Sequence, residues 1–267
     1  MTFEEITNEL DMLSAFAGVK RSVIGYSVLG RPIYAFHVGK PSGKQIIITG
    51  AIHAREWITA LLVAELIKEY STKNLPGGMY FVPLCNPDGV RLALDAAKNQ
   101  PLWKANARGV DLNVNFDADW GMGAQNVMTV GSENFIGPHP NSEPETQALV
   151  NFTSQIKPCA VVAYHSKGEV IYYGFEPSGK NIPIVQLARA AALAKKTANI
   201  TGYSPVRTKN STGGYCDWVF MHLGIPAVTI EVGKDEYNHP IGTDKLPEIL
   251  AQNIQVPNIL LEVSDCL

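Results

Sequence analysis

A histidine and a glutamate three residues apart, His53 and Glu56, are the residues of this sequence best suited to bind a metal ion. They lie between an apolar β-branched run and an amphipathic stretch typical of a helix. At such a strand-to-helix turn, an imidazole and a carboxylate with this spacing can point to one side and bind one ion. Zn²⁺ accepts nitrogen and oxygen donors, and a catalytic zinc site uses three protein ligands. This spacing is common by chance, so the pair alone does not identify a zinc site. A third ligand must come from elsewhere in the chain.

His165 is the natural third ligand, because it follows residues 160–164, an apolar run typical of a buried strand. A lone histidine at a strand end is also often a hydrogen-bonded structural residue, so that alternative stays open. Glu231 lies in another apolar run, residues 227–232. A carboxylate there costs free energy unless the protein uses it or pairs it with a lysine or arginine.

Strand-like and helix-like stretches alternate along the chain, which predicts an α/β fold. Apolar or alternating patterns predict strands at residues 22–26, 32–38, 45–49, 79–84, 160–164 and 227–232. The first two strands flank Leu29-Gly30 and predict a hairpin, and residues 85–89 predict a turn. Helices are predicted at residues 57–70, 183–197 and 246–263, the last of them bent at Pro257. Ligands bind at the carboxyl ends of strands in such folds, where His53, His165 and Glu231 could form one cluster.

Composition narrows the class of protein. The chain has 267 residues, 46% hydrophobic and 18% charged, with no linker-like segment, which predicts one globular domain over residues 1–267. A net charge of −3 without a basic patch argues against nucleic acid or an anionic membrane as partner. Neither a secretory signal nor a transmembrane stretch is apparent, so we expect a cytoplasmic protein. The four widely spaced cysteines are expected to be reduced thiols.

Seven short motifs, in order along most of the chain, resemble the zinc metallocarboxypeptidase family. They are His53-Ala-Arg-Glu56-Trp-Ile, Asn86-Pro-Asp-Gly89, Gly109-Val-Asp-Leu-Asn113, Ser142-Glu-Pro-Glu145, Tyr164-His165-Ser166, Gly213-Gly214 with Asp217-Trp218, and Thr229-Ile-Glu231. The resemblance implies one Zn²⁺ bound by His53, Glu56 and His165, with Glu231 as the catalytic carboxylate that takes a proton from the attacking water. It also implies a mixed, mostly parallel twisted sheet flanked by helices on both faces.

Three positions depart from the pattern of the exopeptidase members. The arginine that clamps the C-terminal carboxylate of their substrates follows the asparagine equivalent to Asn113, but here the next residue is Val114. Valine cannot form the bidentate fork that suits a carboxylate. Lys209 replaces the tyrosine that usually precedes the Gly-Gly motif by four residues. Cys216 stands where a residue shapes the leaving-side specificity pocket, although it could equally be a packing residue.

These departures resemble a bacterial branch of the family, the γ-D-glutamyl-diaminopimelate peptidases, which cleave murein peptides. Residues 102–116 and 131–146 carry this narrower likeness. By alignment, Lys104 occupies the place of the family's oxyanion-stabilising arginine, and Arg108 is a second candidate, unless either is a solvent-facing charge. The residues predicted to contact a peptide substrate with several carboxylates are Arg55, Lys104, Arg108, Asn113, Lys209, Tyr215 and Cys216.

The leading hypothesis is therefore a zinc-dependent peptidase that cleaves murein peptides, with γ-D-Glu–diaminopimelate as the expected bond. A general metallocarboxypeptidase or a zinc deacylase of N-acyl amino acids is the alternative. The loss of arginine at Val114 argues against the first of these, and the length of the motif run argues against the second. A non-catalytic binding module would normally have lost a ligand or the base, whereas all four residues are present here.

Overall fold

The computed structural model describes residues 1–131, 133–179 and 181–263. One sheet of eight strands runs through this part of the chain. In chain order the strands are β1 (Lys20–Tyr26), β2 (Pro32–Gly39), β3 (Gln45–Thr49), β4 (Gly78–Val82), β5 (Ala160–His165), β6 (Val170–Tyr173), β7 (Ser204–Arg207) and β8 (Ala227–Glu231). Their order across the sheet is β1-β2-β4-β3-β5-β8-β6-β7. The central strands β4, β3, β5 and β8 are mutually parallel, and antiparallel pairs lie on either side, which confirms the predicted mixed, mostly parallel sheet.

Helices cover both faces of the sheet. In chain order they are α1 (Phe3–Met12), α2 (Ile58–Ser71), α3 (Pro87–Leu94), α4 (Pro144–Ile156), α5 (Ile184–Thr201), α6 (Tyr215–Trp218), α7 (Leu246–Asn253) and α8 (Val256–Val263). Successive residues of β3 belong to different hydrophobic clusters, because side chains alternate between the faces of a strand. Ile46 and Ile48 pack with α2 and α8, whereas Ile47 packs with residues of α4 and α6. The apolar run of residues 45–49 is thus buried on both faces, and the predicted α/β class is confirmed.

Several predicted boundaries are wrong, and two of the differences have a clear local cause. Residues 85–89 were expected to form a turn, but Asn86 caps the N-terminus of α3 by accepting a hydrogen bond from the amide of Gly89 at 2.9 Å. Pro87 suits the first turn of a helix, where its missing N–H is not needed. The expected helix 246–263 is divided into α7 and α8, and the division precedes Pro257 because proline is compatible with the first turn of α8.

Other differences concern element ends and elements that the sequence patterns did not predict. The strand expected at residues 79–84 ends at Val82, and the helix expected from 183 to 197 continues to Thr201. Four elements were not predicted, namely the helices α1 and α4 and the four-residue strands β6 and β7. Cys85, Cys159 and Cys216 are free thiols as expected, and Cys266 lies outside the described residues. None of the helices in the described ranges has both the length and the apolar character required to cross a membrane.

The parallel strands bring the chemically interesting residues to one edge of the sheet. His165 is the last residue of β5 and Glu231 the last residue of β8, and the two residues are paired in the register of these strands. The amide of Val232 donates a hydrogen bond to the carbonyl of His165 at 2.8 Å and extends this pairing. His53 follows the adjacent strand β3. The expected meeting of three strand ends is therefore confirmed.

Candidate active site

Three buried side chains converge at the carboxyl edge of the sheet and could hold one metal ion. His53 Nδ1 lies 2.9 Å from Glu56 Oε1, and His165 Nδ1 lies 2.9 Å from Glu56 Oε2. The two Nδ1 atoms are 3.2 Å apart. All three residues are buried, and their ligand atoms lie within 4.8 Å of one another.

Local backbone structure explains why His53 and Glu56 face the same way. A short 3-10 helix, Ala54–Glu56, begins directly after His53, and the amide of Glu56 donates to the carbonyl of His53 at 3.1 Å. The side-chain hydroxyl of Thr59 then donates to the carbonyl of Glu56 at 2.8 Å and accepts from the amide of Ala51 at 2.7 Å. These bonds fix the turn between β3 and α2, so the predicted i, i+3 arrangement rests on a rigid segment.

The donor set fits zinc. Two imidazole nitrogens and a carboxylate oxygen are ligands that Zn²⁺ accepts, and three protein ligands leave a coordination position open, as in catalytic sites. His53 Nε2 lies 3.1 Å from Asp111 Oδ1, so a hydrogen on Nε2 leaves the lone pair of Nδ1 directed toward Glu56 and His165. A carboxylate behind a metal-ligating histidine is the usual arrangement for fixing its tautomer.

The electrostatics around His53 favour positive charge. Burial opposes the charged imidazole, but the Glu56 and Asp111 carboxylates outweigh burial and raise the pKa of His53 to about 9. Burial likewise opposes ionisation of Asp111, yet His53 and Lys104 hold the pKa of that carboxyl well below its usual range. Lys104 Nζ lies 2.7 Å from Asp111 Oδ2. A pocket that stabilises a proton in this way also favours a bound cation.

The surroundings of Glu231, in contrast, favour its neutral, protonated form. Burial, reinforced by the nearby Glu56 carboxylate, raises the pKa of Glu231 to about 8. A carboxyl with such a pKa can both accept and return a proton near neutral pH, which a general base or acid must do. The two carboxylates thus differ in their protonation, since His53 and His165 hold the pKa of Glu56 well below its ordinary value.

A cavity of about 520 Å³ opens in front of this cluster. The predicted residues His53, His165, Glu231, Lys104, Asn113, Lys209 and Cys216 all line it, as does Val114. Asn113 also accepts a hydrogen bond through Oδ1 from the amide of Tyr215 at 3.0 Å, which fixes the wall that carries Cys216. Polar residues also line the cavity, among them Gln125, Asn126, Asn134, Thr208, Asn210 and Ser211.

Three residues predicted to contact substrate do not line this cavity. Tyr215 is fully buried, and its hydroxyl lies 2.7 Å from Thr153 Oγ1, so its side chain packs in the core. The guanidinium of Arg55 pairs with Glu133 at 2.5 Å. Arg108 has a side chain 55% exposed and lies 3.5 Å from Glu143. Of the two cations proposed for the oxyanion, only Lys104 faces the cavity.

Two acids that line the cavity, Asp111 and Asp217, were not singled out by sequence reasoning. Asp111 lies within the Gly109–Asn113 motif, and its pairing with His53 depends on a contact 58 residues apart that no local pattern contains. Asp217 lies within the motif that follows Gly214, and it lines the same cavity. In both cases the available signal was the position of the acid within one of the sequence motifs. An acid that is buried there must have a binding partner or a function.

Comparison with known proteins agrees with this geometry. Residues 12–255 match the zinc carboxypeptidase family. A relative, γ-D-glutamyl-L-diamino acid endopeptidase 1 of Lysinibacillus sphaericus, is 30% identical over 92% of this chain and 67% of its own length. Bovine thrombin-activatable fibrinolysis inhibitor has a similar fold, with a TM-score of 0.84 at 21% identity over 100% of this chain and 98% of its own. Murein-tripeptide amidase from Escherichia coli O157 gives a TM-score of 0.61 at 23% identity, over 91% of both chains. The chain therefore belongs to the zinc carboxypeptidase family and is a zinc metallopeptidase.

Proposed function

We propose that His53, Glu56 and His165 hold one zinc ion and that Glu231 is the general base and acid of amide hydrolysis. The fit of the donor set, with Asp111 behind His53, supports the first part. A zinc ion supplies Lewis acidity, which polarises the scissile carbonyl and lowers the pKa of water to about 7. The raised pKa of Glu231 supports its role, because its carboxylate can take the proton of the attacking water and deliver it to the leaving amine.

Lys104 is the cation best placed to stabilise the developing oxyanion. Its ammonium group lies 2.7 Å from Asp111 Oδ2 and 2.5 Å from Asn134 Oδ1, so two acceptors fix its position at the cavity wall. A third hydrogen of the ammonium group remains for substrate, and preorganised donors of this kind stabilise charge that develops in the transition state. Arg108 is less suited to this role, because it does not line the cavity and pairs with Glu143.

The substrate that we propose is a murein peptide, cleaved between the γ-carboxyl of D-glutamate and diaminopimelate. The observation that carries this proposal is Val114 in the cavity wall, at the place where exopeptidases of the family present an arginine to a C-terminal carboxylate. Without that arginine, Lys104 and Lys209 are the cationic side chains that face the cavity among the described residues, apart from the histidines. The name and similarity of the L. sphaericus relative support the same bond type.

The decisive experiment compares kcat/KM for L-Ala-γ-D-Glu-diaminopimelate and for a blocked dipeptide with an ordinary C-terminal residue. We expect the murein tripeptide to be the better substrate under the same zinc concentration and pH. Removal of zinc by a chelator must abolish both activities, and restoring one equivalent must recover them. A preference for the ordinary dipeptide would overturn the murein assignment and leave the zinc peptidase intact.

A further inference from the structure

The side chain of Asn86 joins two loops that carry groups of the proposed active site. Its amide nitrogen donates to the carbonyl of Ile52 at 3.1 Å and to the carbonyl of Ala105 at 3.1 Å. Ile52 directly precedes His53, and Ala105 directly follows Lys104. Both bonds are shielded from water, since Asn86 is fully buried. One side chain thus contacts the neighbours of a proposed zinc ligand and of the cation proposed for the oxyanion.

Capping of α3 does not require the amide nitrogen of Asn86. The cap is the hydrogen bond from the amide of Gly89 to Oδ1 of Asn86 at 2.9 Å, which an aspartate or a serine could form equally well. The same bond assigns the side-chain oxygen, so each of the two hydrogens on the nitrogen has one carbonyl acceptor. Asparagine is therefore needed here for the contact between the loops rather than for the cap.

Two further contacts hold the loops in the same relationship. The amide of Ala54 donates to the carbonyl of Lys104 at 3.0 Å, so the loops are also bonded to each other directly. Gly89 leaves room for the carbonyl of Ala105, because a Cβ added to that glycine would lie 2.3 Å from the carbonyl oxygen. The loop after Lys104 is thus packed closely against the start of α3, where Asn86 bonds to it.

We propose that Asn86 is a positioning residue that sets the location of Lys104 relative to His53, and so relative to the metal site. The inference rests on the proposed function, in which Lys104 stabilises the developing oxyanion. Asp111 contacts the ends of both side chains, whereas Asn86 fixes the two backbones behind them. Because the stem of a lysine is flexible, the ammonium group stays in place only if its backbone does. A displacement of about 1 Å can lower a rate by about 100-fold.

The test removes the amide nitrogen and leaves the cap. Asn86→Asp keeps an oxygen for the amide of Gly89 but places a second oxygen against the two carbonyls, so the loops should separate. Gly89→Ala perturbs the same contact without new charge, since its Cβ displaces the carbonyl of Ala105. If Asn86→Asp does not fold, Gly89→Ala decides the question. Asn253→Asp is the matched control, because Asn253 is equally buried and its amide nitrogen also donates two hydrogen bonds, outside the cavity lining.

The first readout is hydrogen exchange of the Ala54 amide in the metal-free protein. This amide bonds to the carbonyl of Lys104, so its protection reports the contact between the loops independently of activity. We expect exchange to be about 10- to 100-fold faster in Asn86→Asp and Gly89→Ala, and unchanged in Asn253→Asp. Unchanged protection in the first two variants would overturn the inference. An equal increase in the control would indicate general destabilisation and would overturn it as well.

The second readout is a double-mutant cycle with Lys104→Ala, measured as kcat at saturating zinc on the better of the two substrates compared above. Lys104→Ala should lower kcat by about 10²–10³-fold, the usual cost of losing an oxyanion donor. Asn86→Asp should lower it by about 10- to 100-fold. If Asn86 acts through Lys104, its replacement should cost less than about threefold once Lys104 is absent. Losses that multiply would overturn the inference, because a general structural defect does not depend on Lys104.

The single variants separate this inference from the proposed function. Full turnover in Lys104→Ala would reject the oxyanion role of Lys104 and the inference with it. Normal turnover in Asn86→Asp and Gly89→Ala, beside a loss in Lys104→Ala, would overturn the inference alone and leave the proposed function standing.

Discussion

The Nε2 atom of His53 lies 3.1 Å from Oδ1 of Asp111, and the other oxygen of that carboxylate lies 2.7 Å from Lys104. One buried acid thus orients a proposed zinc ligand and positions the cation proposed for the oxyanion. Asp111 itself is fixed at the start of a short 3-10 helix, Leu112–Val114, where it accepts from the amide of Asn113 at 3.0 Å. Metal affinity and transition-state stabilisation are therefore expected to depend on the same side chain.

Asp111→Asn should weaken zinc binding by about 10- to 100-fold, the usual effect of losing the carboxylate behind a ligating histidine. The side-chain amide of the asparagine can still contact His53, but it lacks the negative charge that stabilises the bound cation and Lys104. Competition with a chromophoric chelator measures the zinc Kd. Asp117→Asn, a change at an exposed acid six residues away, is the control and should leave the Kd unaltered. Equal affinity in both variants would contradict the role of Asp111.

His165→Ala should abolish stoichiometric zinc binding while the protein stays folded. The metal loses one of three protein ligands, whereas the fold is held by hydrophobic clusters on both faces of the sheet. Metal content after dialysis and circular dichroism provide the two readouts. His222→Ala alters an exposed histidine outside the cavity and serves as the control. Full zinc occupancy in His165→Ala would refute the ligand assignment.

Glu231→Gln separates proton transfer from metal binding. The glutamine occupies almost the same volume and leaves the three proposed ligands in place, so zinc should remain bound. Turnover should fall by roughly 10²–10⁴-fold, the contribution typical of general acid–base catalysis. The measurement is kcat on the murein tripeptide together with metal content of the same sample. Near-normal turnover would assign the proton transfer to another group.

The convergence of the proposed ligands was predictable because its signals are local or belong to strand ends. His53 and Glu56 share one turn, His165 follows one apolar run and Glu231 lies near the end of another, and such runs are typical of buried parallel strands. Parallel strands place their carboxyl ends at one edge, so convergence followed from topology. The short edge strands β6 and β7 were missed, since four residues carry too little periodicity to distinguish a strand from a loop.

Side-chain direction was the part that sequence reasoning could not supply. Tyr215 and Cys216 are neighbours, yet the tyrosine side chain packs against Thr153 in the core while Cys216 faces the cavity. Arg55 and Arg108 were expected at the substrate, but Glu133 and Glu143 pair with them elsewhere. Long-range contacts decide these orientations, and no local pattern in the sequence contains them.

Stability should depend on pH through Asp217. Burial raises its pKa from the ordinary 3.8 to about 7, so the folded state holds a proton between these values that the unfolded chain has released. The folded state therefore loses stability, relative to Asp217→Asn, as the pH rises from about 4 to 7, and the difference stays constant above that range. The loss should reach roughly 2–4 kcal/mol. Chemical denaturation of both proteins at pH 5 and pH 8 measures it, and a pH-independent difference would contradict a raised pKa of Asp217 in the folded state.

Val114→Arg should shift specificity toward ordinary C-terminal peptides. The backbone of Val114 lies against Gly213 and the residue lines the cavity, so we expect a longer side chain at position 114 to extend into that cavity. A guanidinium there can form two parallel hydrogen bonds to a C-terminal carboxylate, which valine cannot do. We expect kcat/KM on a blocked dipeptide to rise by about tenfold or more. Activity on the γ-D-glutamyl substrate should fall, because the arginine occupies space and adds a competing cation.

Val114→Met is the matched control for this substitution, since it extends the side chain without charge. If the carboxylate clamp is the cause, methionine should reduce activity on the murein tripeptide without improving hydrolysis of the blocked dipeptide. The measurement is kcat/KM for both substrates with all three proteins at one pH and zinc concentration. Equal behaviour of the arginine and methionine variants would mean that volume, rather than charge, sets specificity at this wall. The absence of an arginine at position 114 would then no longer explain a preference for substrates that lack an ordinary C-terminal carboxylate.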